Sequence, residues 1–116
     1  MRSSGTEGTC EDRCTGCLLG TACGDILGAA VEGWSAAEIR ERFGEIRDFL
    51  PSSRGFGCYT DDTQMTVALA ASLVERGRVD AAHVSAKYAE FYQRWRGYGG
   101  AAILAVDPPG RMWHDM

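Results

Sequence analysis

At 116 residues the chain has room for one small domain, with a thin margin for a hydrophobic core. Its apolar content of 45% and charged content of 24% sit near globular averages, which argues against bulk disorder. The formal charge is −4, and the twelve basic residues are scattered or interleaved with acids, as in EIRERFGEIRD. That pattern argues against a nucleic-acid partner.

The most apolar stretch, CLLGTACGDILGAAV, carries Asp25 near its middle, whereas a membrane-spanning helix needs about twenty apolar residues. The same stretch is broken by Gly20, Thr21 and Gly24, which fits a signal peptide poorly. The five cysteines are an odd number without a secretory signal, so free thiols are expected. These features point to a soluble cytoplasmic protein with no membrane partner.

Residues 1–13, MRSSGTEGTCEDR, are small and polar. They read as a disordered leader, with the folded part spanning 14–106 and a divergent tail at 107–116. From Gly16 to Gly33 a helix is expected. Gly16, Gly20, Gly24 and Gly28 recur every fourth position and share one face. Each glycine costs a helix interior about 1 kcal/mol relative to alanine, so such a stripe needs another element packed closely on it. Leu18, Leu19, Ile26 and Leu27 cover much of the remaining surface, which predicts a central helix. Asp25 and Glu32 are about two turns apart and point the same way.

A short amphipathic helix follows over Ser35–Gly44, with Ser35 and Glu38 as a capping box and Gly44 as its end. Glu45–Tyr59 reads as a loop, punctuated by Pro51, Gly55 and Gly57. A helix over Asp61–Arg76 carries an apolar stripe of Met65, Leu69 and Leu73 and stops at Gly77. Another runs from Ala81 to Trp95, capped by Asp80, with Val84, Tyr88, Phe91 and Trp95 on one side. Arg96–Gly100 breaks it, and Ala101–Val106 can restart a helix before Pro108. No stretch alternates as a strand, so the fold class is all-α.

Four patterns bear on chemistry. In TDDT (Thr60–Thr63), adjacent carboxylates stand at a helix start. One reading is a cap: unpaired N–H groups and the positive dipole end favour acids there, and Asp61 with Gln64 resembles a capping box. The other is a hard-cation site, since Mg²⁺, Ca²⁺ and Mn²⁺ prefer carboxylate and hydroxyl oxygens. Thr60, Asp61 and Asp62 cannot fill about six positions alone, so further ligands must come from elsewhere. Cys10, Cys14 and Cys17 match the C-x3-C-x2-C spacing of a radical SAM cluster loop. Gly16 stands where that loop carries an aromatic residue, and that barrel fold is far larger than this chain, so the spacing reads as coincidence. GYGG (Gly97–Gly100) resembles a backbone-rich loop for a phosphate or sugar, with an ordinary helix break as its other reading. His83 and His114 have no zinc-like spacing.

In order along the chain, these pieces resemble the ADP-ribosylglycohydrolase family. GCLLGTACGDILGAAVEGWS is similar to the family's opening helix, GCYTDDTQMTVALAASL to its first metal motif, and RGYGG to its glycine loop, together covering about residues 16–102. The resemblance implies an all-helical fold with two Mg²⁺ ions, sometimes Mn²⁺. It implies cleavage of the N- or O-glycosidic bond between ADP-ribose and an arginine or serine side chain of a modified protein. Thr60, Asp61 and Asp62 fall on metal ligands and Glu32 on the catalytic acidic residue. Asp25 falls on the G-D-x-x-G position, read as support for the ligands, and Gly97, Tyr98, Gly99 and Gly100 on the substrate loop. The family's late Asp-x-Asp-Thr motif has no counterpart here. The expectation is therefore an N-terminal piece, either active with a complementing C-terminal fragment or a non-catalytic remnant that at most binds ADP-ribose weakly.

Overall fold

The computed structural model describes residues 8–94, and the chain there is all-α apart from one minute hairpin. Its elements are α1 (Cys10–Ala29), α2 (Ala36–Phe43), β1 (Pro51–Ser52), β2 (Gly55–Phe56), α3 (Asp61–Arg76) and α4 (Ala81–Arg94). Trp95, the Gly97–Gly100 loop and the 101–106 segment lie outside the described residues.

Helix α1 begins six residues earlier than Gly16, inside the stretch expected to be a disordered leader. The reason is local. Thr9 is an N-cap whose side chain accepts the Asp12 N–H at 3.1 Å, while the Asp12 carboxylate accepts the Thr9 N–H at 2.8 Å. This reciprocal box satisfies two donors that a helix start otherwise leaves unpaired. The helix ends at Ala29 rather than Gly33. Gly33, at φ +80°, instead makes the tight turn into α2, where Trp34 N–H donates to Val31 carbonyl at 3.0 Å.

The box at Ser35 and Glu38 starts α2 as its sequence predicts. Trp34 and Phe43 meet across that helix with ring centroids 5.8 Å apart, and the Arg42 guanidinium lies 5.9 Å from each ring. The expected 45–59 loop folds back on itself as β1 and β2, with Pro51 opposite Phe56. Two-residue strands are too short for alternation to register in sequence.

Helix α3 stops at Gly77, whose N–H donates to Leu73 carbonyl at 2.8 Å. Asp80 caps α4 by accepting the His83 N–H at 3.1 Å. The α3–α4 contact is the most extensive in the described part. The buried residues on α3 are Gln64, Ala68 and Ser72, and those on α4 are Val84 and Ser85. The stripe of Met65, Leu69 and Leu73 sits one position round: Met65 and Leu69 are half-buried and Leu73 is exposed. Small side chains let the two helices approach closely, and the larger ones flank the seam.

Ser72, fully buried, donates to His83 Nδ1 at 2.7 Å; His83 Nε2 lies 3.1 Å from Glu75, and Glu75 lies 2.7 Å from Lys87 Nζ. The carboxylate can only accept, so in the neutral ring Nε2 carries the hydrogen and Nδ1 is the acceptor for the serine.

Helix α1 is not central in the described part. None of its residues is fully buried, and Leu18 and Leu19 are exposed. An added Cβ at Gly16, Gly20, Gly24 or Gly28 would meet nothing within 4 Å. Among the described residues, the element expected against the glycine stripe is not there. Helix α3 is joined to α1 at Asp25, in the C-terminal half of that helix.

Candidate functional site

The N-terminus of α3 points at the flank of α1, and one side chain joins them. Asp25 Oδ2 accepts the Thr60 N–H at 2.7 Å, the Thr63 N–H at 3.2 Å and the Thr63 hydroxyl at 2.6 Å. Asp25 Oδ1 accepts the Thr60 hydroxyl. Thr60, not Asp61, is therefore the cap of α3; its hydroxyl oxygen receives the Asp62 N–H at 3.4 Å. The capping box read at Asp61 and Gln64 does not form in that register. A carboxylate supplied from 35 residues away satisfies the orphan donors instead.

A cleft of about 440 Å³ opens beside this junction. Gly20, Gly24 and Gly28 form one wall, where the missing side chains leave the space, and Thr21, Asp25, Glu32, Thr60 and Asp62 are its polar residues. Thr60 is buried, while Glu32 and Asp62 are exposed to solvent. Asp61 is half-buried in the first turn of α3 but does not line the cleft. Gly97, Tyr98, Gly99 and Gly100 lie outside the described residues.

The carboxylates differ electrostatically. Burial pushes the Asp25 carboxyl up, but the hydrogen bonds from Thr60 and Thr63 outweigh it and hold Asp25 below the usual carboxylate range. Asp62 is shifted the other way. Burial raises it first, and the negative charges of Asp25, Asp61 and Glu32 add to the rise. The charges that act on Asp62 come from these carboxylates, so the cleft concentrates negative potential.

The donors present are carboxylate and hydroxyl oxygens, which suit Mg²⁺ or Mn²⁺ in kind. In number they are few: among the described residues no three His, Cys, Asp or Glu side chains converge closely enough to hold a metal ion. Cys10, Cys14 and Cys17 all fall within α1 and are free and exposed. Thr63 was missed in the sequence as a site residue, although its spacing of three from Thr60 puts both hydroxyls on one side of the helix start.

Comparison with known proteins adds an independent line. The sequence model of one family, ADP-ribosylglycohydrolase, matches residues 6–114, which extends beyond the 16–102 resemblance at both ends. An uncharacterised protein of Archaeoglobus fulgidus is 44% identical over 88 residues, covering 73% of this chain and 28% of the relative. ADP-ribosylhydrolase ARH3 of Bos taurus is 32% identical over 100 residues, covering 78% of this chain and 27% of that protein. The ADP-ribosyl-[dinitrogen reductase] glycohydrolase of Rhodospirillum rubrum is 38% identical over 84 residues, with 68% and 28% covered. The chain thus matches less than a third of the length of these relatives.

Proposed function

Since the chain belongs to the ADP-ribosylglycohydrolase family, we propose that it supplies one half of a metal-dependent site for cleaving the glycosidic bond between ADP-ribose and a protein arginine or serine. The single observation that carries this reading is the cleft itself: Thr60 and Asp62 at the start of α3 line it together with Glu32, in the turn that follows α1, beside a wall of glycines. The raised Asp62 carboxyl supports a cation there, because a divalent ion would discharge the crowding by Asp25, Asp61 and Glu32.

In this reading Thr60 and Asp62, which line the cleft, and Asp61 beside them in the first turn of α3 would hold Mg²⁺, or Mn²⁺ in its place, and Asp25 holds Thr60. A divalent cation held there would supply a site for the ribose hydroxyls and a more acidic water. Glu32 serves as the acidic residue beside the anomeric carbon, taking a proton from the attacking water or steadying the oxocarbenium-like charge. Gly97–Gly100 serves the substrate. The remaining ligands come from polypeptide supplied as a complementing C-terminal fragment. Free thiols at all five cysteines suit the cytoplasm, which we assign as the compartment.

The test is release of ADP-ribose from ADP-ribosylated arginine or serine peptides in Mg²⁺. The chain is assayed alone and with a C-terminal polypeptide carrying Asp-x-Asp-Thr. Release is expected with the complement, and its absence in both arms overturns the proposal. The sparse ligand set favours a second reading, a non-catalytic remnant that binds ADP-ribose weakly. Calorimetry with ADP-ribose separates the two, since tight Mg²⁺-dependent binding contradicts a remnant.

A further inference from the structure

We infer that Thr63 is a positioning residue: acting through Asp25, it pins that carboxylate against the start of α3 and so holds the Thr60 oxygen toward the cleft. The inference rests on Thr60 and Asp62 being cation ligands, and it concerns a residue that itself does not line the cleft.

The argument begins with lone pairs. A carboxylate offers about four acceptor positions. Asp25 receives four donors, two from Thr60 and two from Thr63. Three of them converge on Oδ2 and one lies on Oδ1. Oδ2 is therefore fully committed inside the protein, and Oδ1 keeps a single acceptor position beside the Thr60 hydroxyl. Of the three carboxylates lining the cleft, Asp25 is the organiser, while Glu32 and Asp62 remain open to a ligand.

The second step concerns the Thr60 hydroxyl. Its hydrogen goes to Asp25 Oδ1 and its oxygen accepts the Asp62 N–H only at 3.4 Å. One lone pair is left for the cleft, which Thr60 lines while being almost wholly buried. A hydroxyl whose hydrogen is held by a carboxylate presents oxygen, not hydrogen, to a cation. This orientation depends on Asp25 staying in place. The Thr63 hydroxyl donates to Oδ2 at 2.6 Å and so stops the carboxylate from turning outward.

The test compares Thr63→Val, which keeps the shape and loses the hydroxyl, with Thr63→Ser, which keeps the hydroxyl. The probe is Mn²⁺ alone, its binding read by electron paramagnetic resonance and corrected for the folded fraction. Amide hydrogen exchange at Thr60 and Asp62 in the metal-free chain is measured in parallel. Thr63→Val is expected to weaken Mn²⁺ binding about tenfold. It should also speed exchange at Thr60 and Asp62 ahead of the rest of α3, and Thr63→Ser should restore both. Unchanged Mn²⁺ affinity in folded Thr63→Val, uniform acceleration along α3, or a serine variant as impaired as the valine variant would each overturn the inference. If the parent chain binds no Mn²⁺, the metal reading of the cleft fails. The clamp is then decided by exchange alone: selective acceleration reversed by serine supports it, and its absence overturns it.

Discussion

Replacing Ser72 by alanine tests whether the Ser72–His83–Glu75 chain is a structural seam rather than a nucleophile with its base. The connectivity resembles a catalytic triad, but Ser72 is 0% exposed and no substrate carbonyl could reach it. Its 2.7 Å bond to His83 spans the α3–α4 interface. Losing that bond leaves Nδ1 without a donor, which costs about 1–3 kcal/mol for a buried group. His83 retains 20% side-chain exposure, so water recovers part of that loss. Alanine's better helix propensity returns about 0.5 kcal/mol. The net expectation is a loss of roughly 1.5 kcal/mol, or about a 1 M fall in the urea midpoint for a domain of this size. A double-mutant cycle with His83→Ala should give a coupling of about 1 kcal/mol. An unchanged Ser72→Ala midpoint, or a cycle additive within about 0.4 kcal/mol, would refute the reasoning. Any hydrolysis measured per folded molecule should be unaffected by Ser72→Ala.

Two further expectations concern helix ends and faces. The Asp80 carboxyl is held low by the His83 N–H first, against an opposing effect of burial, and then by Arg76 and Arg78. Its folded pKa is therefore below the unfolded value near 3.9, so the unfolded chain binds more protons in that window. The stability Asp80 adds over an Asp80→Asn variant should be constant above about pH 5 and vanish as pH falls through the lowered pKa; paired urea titrations from pH 7 to 3 would show parallel curves if this is wrong. Gly16→Ala should stabilise α1 by about 0.5–1 kcal/mol, because an added Cβ meets nothing within 4 Å. Circular dichroism melts would reveal a loss instead if another element packs against that position.

Local signals were legible. Ser35 with Glu38, Gly44 and Gly77 marked helix ends from chemistry contained in a few residues, and each does so in the structure. The start of α1 was equally local, in Thr9 and Asp12, but a small polar composition masked the box. The misread cap of α3 has a different cause. Asp61 was the better local candidate, and Thr60 prevails because Asp25 arrives from α1 to organise both threonines. The Ser72–His83 contact likewise joins residues 11 apart across a turn, which no periodicity encodes. The central position expected for α1 followed from an apolar surface all round; in the described part that surface is largely left facing water.

The Asp25 junction also sets the relative ease with which parts of the molecule come apart. Thr63 lies 38 residues from Asp25, whereas His83 lies 11 from Ser72. Closing the longer segment costs about 1 kcal/mol more chain entropy than closing the shorter one. Four hydrogen bonds to one carboxylate help to hold that span, whose 45–59 connection carries a two-rung hairpin. The cleft is thus hinged on its longest tether: any lengthening or loosening of the 45–59 connection acts on the distance between Glu32 and Asp62 before it reaches the α3–α4 pair.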